Sequence, residues 1–276
     1  MPLRVRRVET TRREADGAWA ETVRRAPAAP LESCVSSYYA FRESSPAPVR
    51  RREGPGVEVV VVLAFTDDWT IDGARHTSFV GGLHERQVAT ENPGSADGMQ
   101  INLAPLAAHR LFRLPMRTLA HRTVSLADVL GRDADLLVER LAELDDAARF
   151  DLLDEFLARR LAAAGTDDRG VRWAFERLAD TQGRVPVGKL AEELGWSRRR
   201  LVSRFQEQIG LPPKAVARLL RFEHARELGG RPDRVSWAEI ALDCGYYDQS
   251  HLINDFRTVT GRTPVTFFQD TTAAAA

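Results

Sequence analysis

The chain has 276 residues, a formal net charge of zero, 43% hydrophobic and 28% charged residues. That length predicts two domains of ordinary size, and the composition excludes fibrous and wholly disordered classes. Two distant cysteines, Cys34 and Cys244, exclude a disulfide scaffold and a CxxC metal site and suit a reducing cytoplasm, the expected location.

The N-terminal stretch MPLRVRRVETTRREADG is charged and lacks the apolar core of a secretory signal. Residues 1–30, rich in Arg, Ala and Pro, read as a partly ordered arm with a strand around Leu3 to Thr10. From Leu31 to about Thr118 the pattern is β-rich. VEVVVVLAF reads as a buried strand, being continuous, β-branched and preceded by Gly-Pro-Gly. Its apolar run, Val59 to Phe65, is too short to span a bilayer. Asp72-Gly73 signals a hairpin, and MQINLAP a further strand after a loop, ENPGSADG.

From Ser125 the period becomes helical. Ser125 suits an N-cap, and two amphipathic helices follow in DADLLVERLAEL and DAARFDLLDEFLARRLAAA. Their stripe of Leu137, Leu141, Leu144, Phe150, Leu153, Phe156, Leu157 and Leu161 suits either packing on its own domain or a homodimer seam over 134–164. GTDDRG reads as a linker over 165–170, so the expected organisation is an arm (1–30), a domain (31–164), the linker, a helical domain (171–270) and a tail (271–276). The helical domain carries 16 basic and 13 acidic residues, an excess too mild to argue for nucleic acid by itself.

The helical domain repeats itself. Leu190-Ala191 and Gly195 match Ile240-Ala241 and Gly245 at an offset of fifty; Leu201, Phe205, Gly210 and Pro213 match Leu252, Phe256, Gly261 and Pro264 at fifty-one. Each copy is a short helix, a Gly-aromatic turn, a second helix and a Gly-x-x-Pro stop, the pattern of a helix-turn-helix. PPKAVARLLRFEHARELGG reads as a long helix between them. An α-helix fits the DNA major groove, and residues in its exposed first turns meet base edges. In the first copy Leu201, Phe205 and Ile209 share the buried face. Arg199, Val202, Ser203 and Gln206 point elsewhere, flanked by Arg198, Arg200 and Arg204. In the second, Leu252, Phe256 and Val259 are the buried face, and Ser250, His251 and Asn254 face out beside Gln249 and Arg257. These twelve outward residues are the candidate DNA contacts, with reading helices about one DNA turn, roughly 34 Å, apart.

The second copy, IALDCGYYDQSHLINDFRTVTGRTP, resembles the signature of AraC/XylS-family transcriptional regulators, and residues 171–270 as a whole resemble that family's DNA-binding domain. The resemblance implies a seven-helix domain, both reading helices in the major groove of double-stranded DNA and control of transcription, with RNA polymerase a candidate partner. It aligns Arg199, Val202 and Ser203, and Ser250, His251 and Asn254, with base-contacting positions. The family often carries Arg at the positions of Ser203 and Asn254, and Phe at that of Tyr246. It also implies that residues 31–164 form a sensing or dimerising α+β domain, β-rich and barrel-like with helices at its C-terminal end, responsive to a small-molecule effector. Trp69, Phe79 and His84 lie on or near the expected strands and are candidates for lining its pocket. His76, His84, His109 and His121 lack metal-ligand spacing, and no phosphate loop, GxSxG or Cys–His pairing suggests an enzyme or a cofactor. The alternative is a helical adaptor that acts through protein contacts.

Overall fold

The computed structural model describes residues 8–66, 68–231 and 236–275, with side chains described through residue 269. The described residues divide into two compact units. One takes up the chain to Glu53, Glu58–Gly82 and Ala89–Thr166; the other takes up Gly54–Val57, Leu83–Val88 and the chain from Asp167. Among the described residues, no helix is long and apolar enough to cross a membrane.

The first unit is β-rich. Its strands are β1 (Val8–Ala15), β2 (Ala18–Arg25), β3 (Val35–Ser44), β4 (Val49–Glu53), β5 (Val59–Ala64), β6 (Trp69–Ile71), β7 (Ala74–His76), β8 (Phe79–Gly81), β9 (Val88–Asn92), β10 (Ser95–Leu103) and β11 (Thr123–Ser125). They form a seven-stranded sheet, β1-β2-β3-β10-β5-β8-β11, and a four-stranded sheet, β4-β9-β6-β7. β5, the VVVVLA run, pairs with both β10 and β8, so it is interior to the larger sheet and almost wholly buried. That position explains its unbroken apolar sequence. Asp72-Gly73 turns β6 into β7 with φ of +46° and +85°, the two left-handed residues of a two-residue hairpin loop.

The same device appears where the sequence reading expected an arm. Asp16 and Gly17, at φ +51° and +75°, fold β1 onto β2, and β2 pairs with β3. Residues 8–25 are therefore part of the larger sheet; the expected strand from Leu3 starts outside the described residues. The loop expected before MQINLAP is also shorter: β9 and β10 occupy most of it, with Gly94 at φ +111° in the turn.

Four helices complete the unit: α1 (Pro105–Phe112), α2 (Leu126–Leu130), α3 (Arg132–Ala142) and α4 (Asp146–Ala162). The Ser125 side chain caps α2, accepting from the Ala127 N–H at 3.3 Å. The apolar stripe on α3 and α4 packs inward. Leu137, Leu141, Phe150, Leu153, Phe156, Leu157 and Leu161 are all buried, and Leu144 is half-buried. Of the two readings of the stripe over 134–164, these burials favour packing on its own domain, where it closes the unit's hydrophobic interior.

Charges are buried with it. Asp154 on α4 accepts from the Tyr38 hydroxyl at 2.6 Å and the Ala28 N–H at 3.1 Å, and forms an ion pair with Arg25 at 3.0 Å. Tyr38 stacks on Phe150 at 5.1 Å, and the Arg25 guanidinium lies over the same ring at 5.0 Å. Burial, followed by the Asp154 carboxylate, raises the Tyr38 pKa, so the phenol stays a donor. One carboxylate thereby joins β2, the turn after it, β3 and α4. Asp154→Ala, which leaves Arg25 with only the exposed Asp151 and strips the Tyr38 hydroxyl and the Ala28 N–H of their acceptor, is expected to cost about 3–5 kcal/mol. Tyr38→Phe, which removes a single donor, should cost about 1–3 kcal/mol. Chemical denaturation of both variants checks this; two costs near zero would remove the network from the unit's stability.

Candidate nucleic-acid interface

The second unit contains seven helices among the described residues: α5 (Arg169–Asp180), α6 (Val187–Glu193), α7 (Arg198–Gln208), α8 (Pro213–Gly229), α9 (Trp237–Asp243), α10 (Gln249–Thr260) and α11 (Pro264–Ala275). The reading helices expected from Arg198 and from about Asp248 are α7 and α10. Arg169 and Gly170, expected in the linker, belong to α5, because the Asp168 carboxylate accepts from the Gly170 and Val171 N–H groups and caps the helix.

The two turns share one hydrogen-bond pattern. The Gly195 N–H donates to the Glu192 carbonyl at 3.0 Å and the Trp196 N–H to that of Ala191 at 2.9 Å. In the second copy Gly245 donates to Leu242 at 3.0 Å and Tyr246 to Ala241 at 2.9 Å. This pair of bonds requires a left-handed residue after the helix, and the two glycines supply it at φ +62° and +76°. The aromatic residue then turns inward: Tyr246 is 3% exposed, and the Trp196 ring lies against Gly170.

The next helix starts under a side-chain cap in each copy. The Ser197 hydroxyl accepts from the Arg200 N–H at 3.2 Å, and the Asp248 carboxylate from the His251 N–H at 2.8 Å. Each helix is anchored by one face. Leu201, Phe205 and Ile209 on and after α7, and Leu252 and Phe256 on α10, are fully buried, with Val259 2% exposed. Phe256 meets Phe222 of α8 at 4.8 Å and Trp237 of α9 at 6.0 Å. The stops match as well: the Gly210 N–H donates to Gln206 and the Gly261 N–H to Arg257, again across left-handed glycines.

The opposite faces are free. Arg198, Arg199, Arg200 and Ser203 are exposed, with Val202 and Gln206 half-buried beside them. On α10, Gln249, Ser250, His251, Asn254 and Arg257 are all exposed. The Arg200 guanidinium lies 4.5 Å over the Trp196 ring, and the His251 ring meets Tyr246 edge-on at 5.2 Å. Arg204 is engaged elsewhere. It forms ion pairs with Asp168 at 3.1 Å and Glu207 at 2.7 Å, tying α7 to the start of α5. Burial alone would raise the Asp168 carboxyl, but the Arg204 guanidinium and the two capping N–H groups outweigh it and hold the pKa down. Arg204 therefore does not stand in for a cation at Ser203.

Two positions were not singled out from the sequence. Ile253 is the counterpart of Val202 at the offset of fifty-one, and like it is half-buried on the outward side. Tyr247 is the residue inserted where the offset changes, and it is 89% exposed. The change of offset was the signal for both. The position matching Arg204 is Asp255, 8% exposed; burial raises its pKa against the opposing pull of Arg218, His251 and Arg221. The Cys244 thiol is buried, 3.5 Å from the His224 ring, and burial pushes its pKa up to about 11.

The candidate effector residues are only partly together. Trp69 is half-exposed and packs edge-on against Phe79 at 6.3 Å and Phe41 at 6.0 Å. Phe79 is 7% exposed. His84 belongs to the other unit.

A family described as a helix-turn-helix domain matches residues 190–270, and a family described as a domain of unknown function (DUF6597) matches residues 23–125. No curated protein matches the chain. Among solved structures, the C-terminal domain of AraT, a response regulator from Geobacillus stearothermophilus, is 23% identical; the match covers 37% of this chain and 86% of that chain at a TM-score of 0.35. ToxT from Vibrio cholerae with a bound unsaturated fatty acid is 11% identical over 84% of this chain and 94% of that chain, at 0.47. The AraC-like transcriptional activator CuxR is 17% identical over 72% of this chain and 80% of that chain, at 0.30. With its duplicated glycine turns, capped helices and family match, residues 190–270 of this chain form a helix-turn-helix domain.

Proposed function

We propose that the chain regulates transcription by placing α7 and α10 in successive major grooves of one duplex, under control of a signal received by its N-terminal domain. The observation that carries this is the division of both helices into an anchored face and an exposed polar one. A helix glued to its domain by Phe205 or Phe256 leaves its first turn free for base edges and phosphates. Arg199 offers the fork that grips guanine O6 and N7, while Ser250, His251 and Asn254 offer hydroxyl, imidazole and amide groups. The effector proposal rests on the half-exposed Trp69, backed by Phe41 and Phe79. A bound effector would act by shifting the population of domain arrangements.

Selection of bound duplexes from a random pool, at low and moderate salt, tests the reading. Two short enriched motifs about one helical turn apart are expected. Weak, salt-insensitive retention without enrichment would favour the helical-adaptor alternative, since duplex binding releases phosphate counterions and weakens steeply with salt. Arg199→Ala is expected to cost about 1–3 kcal/mol at one base pair of the site; a uniform loss over all sequences would make Arg199 a phosphate contact instead. His251→Ala should change discrimination among operator variants more than affinity for unrelated DNA, and unchanged discrimination would remove His251 from the reading surface.

A further inference from the structure

The two helix-turn-helix copies share a backbone plan and differ in charge. Residues 187–208 carry five cations (Lys189, Arg198, Arg199, Arg200, Arg204) against three acids (Glu192, Glu193, Glu207), a formal +2. Residues 237–260 carry one cation (Arg257) against four acids (Glu239, Asp243, Asp248, Asp255), a formal −3. Position widens the gap. Arg198, Arg199 and Arg200 all stand exposed in the first turn of α7, and no ion pair engages them among the described residues. The first turn of α10 presents Gln249, Ser250 and His251 behind the Asp248 cap. Its one arginine, Arg257, lies in the last turn. Arg184, whose guanidinium reaches the Asp243 carbonyl at 3.5 Å, and Arg262 bring the second copy to −1, and the buried Asp255 in that count is set against Arg218 and Arg221 of α8.

We infer that the two copies share the duplex unequally: the first supplies the phosphate grip and one guanine contact, and the second discriminates bases with little electrostatic help. This rests on the DNA-binding reading above and names the kind of site it takes. The half-site under α7 is held through phosphates by Arg198 and Arg200 and carries a guanine for Arg199. The half-site under α10 carries an adenine, whose N6 and N7 suit the Asn254 amide one turn below Ser250. These contacts exchange no charge with the backbone, so the second half-site adds discrimination without adding salt dependence. Glu239 and Asp243, both exposed on α9, repel phosphates nearby, so the second copy gains only where base contacts repay that repulsion.

The test is equilibrium binding of the full-length chain to its enriched duplex across a potassium chloride titration. Arg198→Ala and Arg200→Ala should each reduce the slope of log affinity against log salt by about 1. Arg257→Ala should reduce it by much less. Asn254→Ala should leave the slope intact and flatten preference at one adenine of the second half-site. Asp243→Asn should tighten binding severalfold to duplexes whose second half-site is scrambled. Equal slope losses from Arg257→Ala and Arg198→Ala would overturn the asymmetry, as would guanine in place of adenine under α10. Those outcomes would leave the DNA-binding reading standing. A wild-type chain that enriches no duplex and is retained independently of salt would overturn both.

Discussion

Everything the outward faces of α7 and α10 can do depends on the aromatic anchors beneath them. Phe205 and Phe256 are fully buried, and each fixes its helix through the face opposite the exposed polar one. Such an anchor is worth several kilocalories per mole, about 3–5 for a buried phenylalanine truncated to alanine. That energy lets the outward face be chosen for chemistry rather than for packing. The left-handed glycines complete the arrangement, because only they let the chain reverse tightly enough to bring each helix back onto its partner.

The N-terminal unit solves a different problem with buried charge. Arg149, 4% exposed, donates to the Leu141 carbonyl at 2.9 Å, pairs with Asp97 at 3.3 Å and lies 4.4 Å over the Phe65 ring. With the Asp154 network, it crosslinks helix to sheet by directional bonds. Such bonds specify one docking geometry where apolar contacts alone would tolerate several, because a buried partner left unpaired is costly.

These contrasts explain what could be read beforehand. The C-terminal helices were legible because their signals are local: apolar period, Gly turns, Gly-x-x-Pro stops, and a repeat that checks itself. Asp72-Gly73 was legible for the same reason. The β1–β2 hairpin was not legible although Asp16-Gly17 carries the same turn signal, because its strands, VETTRREA and AWAETVRR, mix paired arginines with glutamate, alanine and threonine and look like a solvated arm. Arg149 and Asp154 were illegible as core residues, since a charged side chain on an amphipathic helix reads as outward-facing until its partner, far away in sequence, is known. His84 follows Trp69 and Phe79 closely along the chain, but proximity in sequence says nothing of the unit that a loop residue joins.

The matched positions Arg204 and Asp255 carry a last consequence. One is a partly exposed cation bonded to the Asp168 cap; the other is a buried acid near Arg218 and Arg221 of α8. Exchanging α7 and α10 would set an arginine among arginines and a carboxylate against a carboxylate. The duplication has therefore become one-way: the halves still share a shape, but each is keyed to its own socket, and new binding specificities in this chain must arise by altering a helix in place rather than by shuffling the copies.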